Sequence, residues 1–506
     1  MSSRLQQALK ERPHQTHAIS ILLTDRLDIR SMDRSFYQYK VGLSERTYQV
    51  ITALKAKAVA TQQPVLDILT SSENVEQGSI QPFWITNIIF VRAQKSLIEQ
   101  LSRFPEVEWL DLDGQLELES HQELACEQIS DSGRAGSGLK AINAGQLWRM
   151  GYTGHGTLAM GADTGIDPNH PALAKNWRAR TAPKAQTWFD PNDPSSVEPA
   201  HCGDHGTHTM GIILGLDRLA KDTLGAAFNA QWIGTNILCG NGTQANIASL
   251  QWALDPDENP MTINDQPDVI NNSWLDPELE QGEDCTSVYV DVFNALEAAG
   301  IAMVFSAGNR GAAPSTITSP KNINTDLVNV MSVGALNAHH ANWTIAGFSS
   351  RGPSVCGGTE SLLIKPEVSA PGVEIRSCSI DGAYSVKSGS SMAAPHVCGA
   401  LLLLKEAFPE LTGTALKLAL YYSATDLGSP GEDNDYGMGL INVWAAFNYL
   451  IGQGHQPTSP WVMHDALLVD IDVPSRNCDS RAAFDLIIEN GGTQNLTSME
   501  VHYQLL

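Results

Sequence analysis

The sequence lacks the features that would direct it to a membrane or to a nucleic acid. None of its hydrophobic runs approaches the roughly 18 residues that a membrane-spanning helix needs. Basic residues are scarce, with 32 Lys and Arg against 56 Asp and Glu. The resulting net charge of −24 argues against nucleic acid or anionic lipid as a partner. A solvated acidic surface is the simplest interpretation of this excess.

Cysteine is also sparse, and its spacing is not that of a metal site. The eight cysteines form no Cys-x-x-Cys pair, which argues against zinc. Their number permits disulfides without indicating how they pair. Cys398 lies in an apolar helical run, where we expect a buried free thiol. The N-terminus shows no apolar signal-peptide segment, so we expect either a cytoplasmic protein or a signal removed before residue 1.

The chain does contain 42% hydrophobic residues over 506 positions, which suits about three globular domains. The first, 1–115, shows strand and helix patterns in the order strand, helix, strand pair, helix, strand. This order is typical of a ferredoxin-like α+β unit. The predicted strands are 17–23, 83–91 and 107–112, and the predicted helices are 45–69 and 93–104.

Residues 116–140 have a different composition. Glu123 and Glu127 add acidic charge, and 130–138 is rich in Gly and Ser. We expect an exposed linker that is open to proteolytic cleavage.

Residues 141–452 alternate between apolar strand patterns and helical patterns. This alternation predicts an α/β unit with a mainly parallel sheet covered by helices on both faces. Functional side chains of such a sheet gather outside the carboxyl ends of its strands. The predicted strands are 157–162, 231–238, 268–273, 301–306 and 328–333, and the predicted helices are 205–216, 245–254, 287–299, 393–408 and 413–423.

Four polar residues stand where such a sheet would bring them together. Asp163 and Asn309 follow predicted strands, His205 opens a helix, and Ser391 precedes an apolar helix. Ser391 alone could equally be a helix cap, with Pro395 in the first turn. Together the four fit nucleophilic catalysis, in which a carboxylate fixes an imidazole and the imidazole activates a serine hydroxyl. The Asn309 amide and the Ser391 N–H would stabilise the oxyanion.

The stretches that carry these residues resemble the subtilases, the subtilisin-like serine peptidases, in which Asp, His and Ser occur in this chain order. The resemblance extends over 141–452, and 269–274 is most similar to the bacillopeptidase F branch. It implies a subtilisin-like fold and a serine endopeptidase with the triad Asp163, His205 and Ser391. The matching stretches are 163–165, 205–208, 348–353, 365–372 and 389–396.

The resemblance also implies which residues surround the substrate. They are Ser273, Trp274 and Leu275 on one side of the S1 pocket, Ser306, Ala307 and Gly308 on the other, and Gly240, Asn241 and Gly242 along S2 and S4, where the substrate pairs as a β-strand. Trp274 and Leu275 replace smaller residues, so a P1 preference is not transferable from other members. Ser390 replaces the more usual threonine, which is a conservative change. The peptide bond before Pro320 is expected to be cis.

Other titratable residues near the motifs are weighed against the triad. His205 and His208 are three residues apart, a spacing that could suit two metal ligands. The resemblance instead implies a structural role for His208. Asp167 competes with Asp163, which holds the motif position. Asp204 is expected at the substrate rim, and His396 inside a helix.

No cofactor is expected for the chemistry, while structural Ca²⁺ is compatible with two acidic loops, 255–259 and 433–435. Neither loop has the spacing of an EF-hand. Ordinary surface loops are the simpler interpretation.

The resemblance further implies that 1–115 is an inhibitory propeptide, with the chain cut between Gly114 and Lys140. The protein would then be made as a zymogen that processes itself and is inhibited by its own propeptide. A permanently attached accessory domain is the alternative.

Residues 453–506 are predicted to be a linker and the start of an immunoglobulin-like β domain, with strands at 465–473, 482–488 and 498–505. The sequence ends inside a strand, which suggests a longer native protein. Such modules favour a secreted peptidase acting on proteins or peptides. There are two alternatives. One is an intracellular processing enzyme with a dedicated target, and the other is a non-catalytic binding protein on this fold.

Overall fold

The computed structural model describes residues 1–118, 122–124, 136–277, 285, 288–339, 342–460, 466–472 and 485–490. The N-terminal unit, residues 1–112, contains a four-stranded antiparallel sheet in the order β2-β3-β1-β4. This is the predicted ferredoxin-like arrangement. Its elements are α1 (Ser3–Glu11), β1 (Thr16–Leu23), α2 (Ile29–Tyr39), α3 (Leu43–Thr61), α4 (Gln63–Ser71), β2 (Gln81–Phe83), β3 (Ile88–Gln94), α5 (Lys95–Leu101) and β4 (Val107–Leu112).

The strands of this sheet are apolar on both faces because both faces are covered. Ile19 and Ile21 of β1 pack into a cluster with Leu5, Val65 and Leu97, which lie on helices of the same unit. Alternate side chains of a strand point to opposite faces. On the other face, residues of β1 and β3 join a cluster that continues into the rest of the protein.

Sequence patterns missed α1 and α2, which are rich in polar residues. Asp28 is the N-cap of α2, and its side chain accepts a hydrogen bond from the Ser31 N–H. It buries Phe36 against residues that are distant in sequence. A helix stabilised mainly by such packing has little local signal.

The central unit, residues 136–460, is built on a seven-stranded parallel sheet in the order β16-β15-β14-β12-β7-β11-β8. This confirms the predicted α/β class. The strands are β7 (Leu158–Ala162), β8 (Trp188–Phe189), β11 (Gln231–Thr235), β12 (Val269–Asn272), β14 (Ala302–Ser306), β15 (Met331–Leu336) and β16 (Val368–Pro371).

Helices cover both faces of this sheet and bury two apolar clusters against it. They are α6 (Ser137–Ala141), α7 (Ala144–Arg149), α8 (His205–Leu214), α9 (Thr243–Leu254), α10 (Tyr289–Ala299), α11 (Ser390–Ala407), α12 (Gly413–Tyr422) and α13 (Val443–Gly452). Among the described helices, none is long and apolar enough to cross a membrane.

Short strands lie outside this sheet. They are β5 (Glu117–Leu118), β6 (Gln122–Leu124), β9 (Leu216–Asp217), β10 (Asp222–Thr223), β13 (Trp274–Leu275), β17 (Ile375–Cys378) and β18 (Tyr384–Ser388). β5 pairs with β13, and β6 pairs with β18, both antiparallel. Glu117–Leu118 and Gln122–Leu124, which lie within the predicted linker 116–140, are therefore paired with strands of the central unit.

Beyond α13 the chain remains attached to the central unit as far as Thr458, whose N–H donates to the Ala407 carbonyl at 2.8 Å. Two antiparallel strands follow, β19 (Ala466–Asp472) and β20 (Asp485–Asn490), at two of the positions expected for a β module. The third predicted strand, 498–505, lies outside the described residues.

Candidate active site

Asp163 and His205 form a buried pair at the carboxyl end of β7. Asp163 follows the strand directly, and His205 is the first residue of α8. His205 Nδ1 lies 2.8 Å from Asp163 Oδ1 and 3.0 Å from Oδ2, and both side chains are 1% exposed or less. The Thr164 N–H donates to Asp163 Oδ1 at 2.7 Å. The carboxylate therefore fixes the ring orientation and directs Nε2 to the opposite side.

Ser391 is the second residue of α11 and is buried. Its hydroxyl makes no hydrogen bond to the residues that the structure describes. The Ser391–His205 hydrogen bond is thus not formed here, as is common in resting sites. The sequence placed Pro395 in the first turn, but it lies inside α11, one turn beyond Ser391. It supplies no N–H to the Ser391 carbonyl.

Ser390 orients Asn309 beside this serine. Asn309 Oδ1 accepts hydrogen bonds from the Ser390 N–H at 2.8 Å and from the Ser390 hydroxyl at 2.9 Å. The Gly308 N–H donates to the same hydroxyl at 3.0 Å. Because the amide oxygen is occupied by donors, the NH₂ end of Asn309 faces away from Ser390 and can donate elsewhere. Sequence reasoning treated Ser390 only as a conservative replacement and missed this positioning role.

One side of the site is occupied by the chain's own residues 113–118, here named the tail. The Leu116 N–H donates to the Asn241 carbonyl at 3.1 Å, and the Thr243 N–H donates to the Gly114 carbonyl at 3.1 Å. A Cβ at Gly242 would lie 2.1 Å from the Gly114 carbonyl oxygen. Glycine is required there because two main chains approach so closely.

The opposite edge of the tail pairs with the segment that follows β12. Leu118 lies opposite Trp274 in the antiparallel register of β5 and β13. The Trp274 indole is fully buried against Tyr289 and Phe305, with ring centroids 5.4 and 5.7 Å apart. Trp274 thus pairs with the tail through its main chain, and its side chain lies in the same buried cluster as Leu116 of the tail.

A second segment, β6, pairs with the strand that precedes Ser391 in the chain. In β6 and β18, Gln122 lies opposite Ser388, and Leu124 lies opposite Val386. Ser388 is three residues before Ser391.

Among the residues that the structure describes, two disulfides are formed, Cys202–Cys239 and Cys285–Cys356. The first joins the loop before His205 to the loop that receives the tail. Cys378 and Cys398 are buried free thiols, which confirms the prediction for Cys398. Cys126 and Cys478 lie outside the described residues.

The other candidate residues have structural partners. Burial lowers the pKa of His208 to about 3, with Lys387 contributing, and His208 Nε2 lies 3.2 Å from the Ser385 carbonyl. Asp204 is not simply at the rim, since its carboxylate lies 3.1 Å from the buried Lys387 ammonium. Asp167 accepts a hydrogen bond from the Asn169 N–H.

The residues on the other predicted side of S1 lie at the end of β14. Ser306 ends the strand, and Ala307 is fully buried. Gly308 follows with a φ of +105°, which glycine adopts without strain. The peptide bond between Ser319 and Pro320 is cis, as predicted.

The candidate calcium loops offer no assembled site. Among the described residues, no group of three or more His, Cys, Asp or Glu is placed to hold a metal ion. Asp255 pairs with the Lys55 ammonium at 2.5 Å, and Asp433 accepts the N–H groups of Asp435 and Tyr436. Calcium binding therefore stays a prediction.

The comparisons with known proteins point in the same direction. The subtilase family model matches residues 155–439. Bacillopeptidase F from Bacillus subtilis (strain 168) is 30% identical over 477 residues, which cover 88% of this chain and 32% of that protein. Subtilisin E from the same organism is 32% identical over 313 residues, which cover 61% of this chain and 70% of that protein. The chain thus spans about a third of the length of bacillopeptidase F.

The fold is similar to that of fervidolysin from Fervidobacterium pennivorans, described as a keratinolytic enzyme related to subtilisin. The TM-score is 0.59 at 19% identity, and the match covers 95% of this chain and 69% of that one. At this identity the likeness supports the fold. The family match spans the positions of Asp163, His205 and Ser391, and the chain belongs to the subtilase family, the subtilisin-like serine peptidases, as its motifs predicted.

Proposed function

We propose that this protein is a serine endopeptidase that uses Asp163, His205 and Ser391 as a catalytic triad. The observation that carries the proposal is the buried His205–Asp163 pair, with 2.8 Å between Nδ1 and Oδ1. This contact holds the proton on Nδ1 and leaves Nε2 free of it, as a general base requires. Family membership and the chain order of the three residues support the same chemistry.

The reaction follows from these positions. His205 Nε2 takes the proton of Ser391 as Oγ attacks the peptide carbonyl. The Asn309 amide and the Ser391 N–H donate to the oxyanion that forms. His205 then protonates the leaving amine, which gives the acyl-enzyme, and water hydrolyses that ester by the same steps in reverse. The protein and peptide substrates would lie along 240–242 and 273–275, where the tail lies now.

We also propose that the N-terminal unit is a propeptide and that the protein cuts itself. The tail pairs with 241–243 and with β13 as a substrate strand would. β5 ends at Leu118, and β6 begins at Gln122, opposite Ser388. The expected cleavage window therefore narrows from 114–140 to the bonds between Leu118 and Gln122.

N-terminal sequencing of the purified chain tests both proposals. The wild type should yield a new N-terminus between Glu119 and Gln122 and should react with a fluorophosphonate at Ser391. Ser391→Ala should stay intact. Asp163→Asn should be processed far more slowly, while the matched carboxylate change Asp167→Asn should be processed like the wild type. Identical processing in wild type and Ser391→Ala, or neither processing nor labelling of the wild type, would favour the non-catalytic binding protein.

The disulfides favour export over a cytoplasmic location. Structural disulfides persist in oxidising compartments and are rare in the cytosol. Cys202–Cys239 and Cys285–Cys356 both lie in the central unit. Mass-spectrometric mapping of protein from its native source should find both bonds, whereas fully reduced cysteines would support the intracellular alternative.

A further inference from the structure

Gly114 is the residue of the tail that is most tightly enclosed by the central unit. Its carbonyl accepts the Thr243 N–H at 3.1 Å, and two residues later the Leu116 N–H donates to the Asn241 carbonyl at 3.1 Å. These two hydrogen bonds hold the tail in one register along 241–243. The position of Gly114 in the cleft is therefore fixed by main-chain contacts, which a substrate of any sequence could also make.

Two polar side chains close the space beside the Gly114 Cα. A Cβ at this position would lie 2.8 Å from Asp276 Oδ2, 3.0 Å from Asp276 Oδ1 and 2.8 Å from Thr243 Oγ1. Non-bonded heavy atoms attract each other best at about 3.5–4.0 Å, so even the methyl group of alanine would overlap these oxygens. Gly114 does not have a positive φ. Glycine is therefore required here by its neighbours and not by its backbone conformation.

The two side chains that close this space are held in place. Asp276 is fully buried, and Thr243 is 5% exposed. The Thr243 hydroxyl donates to Asp276 Oδ2 at 3.0 Å, so each side chain restrains the other. Thr243 is the first residue of α9, and Asp276 directly follows β13. Buried side chains on such elements yield only at a cost in packing, so a larger residue in the tail would not be accommodated freely.

The neighbouring positions of the tail are not restricted in this way. Gln115 and Glu117 are exposed, whereas Gly114 and Leu116 are buried. This alternation is that of an extended strand, in which successive residues point to opposite sides. Leu116 has room for a large side chain, because it packs into the apolar cluster that contains Trp274. The steric limit is therefore specific to the position of Gly114.

We propose that Asp276 and Thr243 form a subsite that selects glycine in the substrate, four residues before the residue that pairs with Trp274. This proposal rests on the proposed peptidase function, with substrates bound where the tail lies now, and it names the class of substrate. A substrate with any side chain at this position must displace the buried hydrogen bond between Thr243 and Asp276. Asp276 and Thr243 are therefore residues that determine specificity, and glycine-containing extended segments are the preferred substrates.

The first test measures cleavage of fluorogenic peptides by the wild-type protein. One peptide has the sequence of residues 111–124, and two others carry alanine in place of Gly114 or of Gln115. We expect alanine at position 114 to lower kcat/KM at least about tenfold, and alanine at the exposed position 115 to change it less than about twofold. The ratios do not depend on the amount of active enzyme, because the same preparation cuts all three peptides. Equal kcat/KM for the glycine and alanine peptides would overturn the subsite.

A widened variant tests whether these two side chains cause the selection. It combines Asp276→Ala with Thr243→Ala, which removes the three oxygens near Gly114 and keeps the main-chain N–H that binds the tail. We expect it to cut the glycine and alanine peptides with kcat/KM values within about threefold of each other. The matched control combines Asp326→Ala with Thr359→Ala, two exposed residues of the central unit, and should keep the wild-type preference. An unchanged preference in the widened variant would overturn the role of both side chains.

A measurement without catalysis separates the subsite from the proposed function. In the full chain with Ser391→Ala, hydrogen exchange of the Leu116 N–H reports whether the tail is paired. Gly114→Ala should accelerate this exchange at least about tenfold, and Gln115→Ala less than about twofold. Equal exchange in the two variants would overturn the subsite. Failure of the wild type to cut any of the peptides would refute the proposed function, while the exchange rates still decide whether the subsite excludes side chains.

Discussion

At the scale of single residues, the site depends on hydrogen bonds that fix orientation. Asp163 holds the ring of His205, and Ser390 holds the amide of Asn309. The Ser390 hydroxyl accepts the Gly308 N–H, a contact that a threonine hydroxyl at this position could also make. The hydroxyl is therefore the feature that matters at this position.

Asn309→Ala should lower kcat by about 100- to 1,000-fold, the loss typical for removal of one oxyanion donor. KM should change little, because in the proposed mechanism the amide stabilises charge that is present only in the transition state. Steady-state kinetics on a peptide substrate measures both constants. A rise in KM with kcat unchanged would place Asn309 in substrate binding instead.

Ser390→Ala should lower kcat by about tenfold, since the loss of hydrogen bonds that orient Asn309 costs about 1–1.5 kcal/mol. Ser390→Thr keeps the hydroxyl and is the matched control, with kcat close to that of the wild type. If the alanine and threonine variants were equally impaired, packing and not the hydroxyl would explain the effect.

Stability should fall in acid because buried histidines stay neutral in the folded protein. Burial lowers the pKa of His396 to about 4 from 6.5. The unfolded chain then takes up a proton below pH 6.5 that the folded chain accepts only near pH 4. The contribution of neutral His396 to the free energy of unfolding should be fully present above pH 6.5. We expect about 3 kcal/mol of it to be lost as the pH falls from 7 to 4.

Urea unfolding in the Ser391→Ala background measures this effect. His396→Gln should make the unfolding midpoint less dependent on pH over that interval. His14→Gln changes an exposed histidine and should leave the dependence as it is. If the urea midpoint changed with pH to the same extent in the parent chain and in both histidine variants, His396 would not be the source of the acid sensitivity.

At the scale of elements, the Cys202–Cys239 bond ties two parts of the site together. Cys202 precedes α8 and His205 by a few residues, and Cys239 precedes the loop that binds the tail. The Cys202 N–H also donates to the carbonyl of Thr164, the neighbour of Asp163, at 2.9 Å. The disulfide therefore restrains both the loop before His205 and the loop that pairs with the tail relative to the Thr164 carbonyl.

Replacing both Cys202 and Cys239 by serine should raise KM for long peptides several-fold and lower stability. A bond with a sequence separation of 37 contributes about 4 kcal/mol in the chain-entropy model. Replacing Cys285 and Cys356 by serine is the matched control, with a comparable loss of stability and a smaller change in KM. Thermal unfolding and peptide kinetics test the two effects, and equal KM changes would contradict this role.

At the scale of the whole molecule, the N-terminal and central units share one apolar cluster. Sheet residues such as Phe90 and α3 residues such as Leu54 lie in it together with Phe293 and Phe305. The two units are thus packed as one core across their boundary. This explains why the strands of the N-terminal sheet are apolar on both faces.

We expect peptidase activity and folding of the central unit to require no residue beyond Pro460. The Tyr152 hydroxyl donates to the Thr458 carbonyl at 2.5 Å, and the Thr458 hydroxyl donates to the Glu406 carbonyl at 2.9 Å. Truncation after Pro460 should preserve peptidase activity and Tm. Truncation after His455 removes these bonds and should lower Tm by several degrees. A large loss of activity on truncation after Pro460 would show that the β module takes part in folding or catalysis.

The sequence by itself determined the α/β class of the central unit, five of its seven strands, the family, and the candidate residues at the strand and helix ends. Periodicity and chain order are local properties, so the parallel sheet and the order of Asp163, His205 and Ser391 could be predicted without a structure. The same reasoning failed where a residue depends on distant partners. Pro395 inside α11 and the polar helix α2 are examples, since buried packing overrides local preference there.

Only the tertiary structure decided which distant segments meet. Residues far apart in the chain are joined by the pairing of Cys202 with Cys239, the pairing of Leu118 with Trp274, and the hydrogen bond from Thr47 to Ala299. Apolar burial is non-directional, and a strand edge can pair with any partner in register. Neither interaction therefore specifies, from the sequence alone, which distant segment it will join. Which segments meet is decided only when the whole core forms, and in this fold the tail pairs with Asn241, Thr243 and β13.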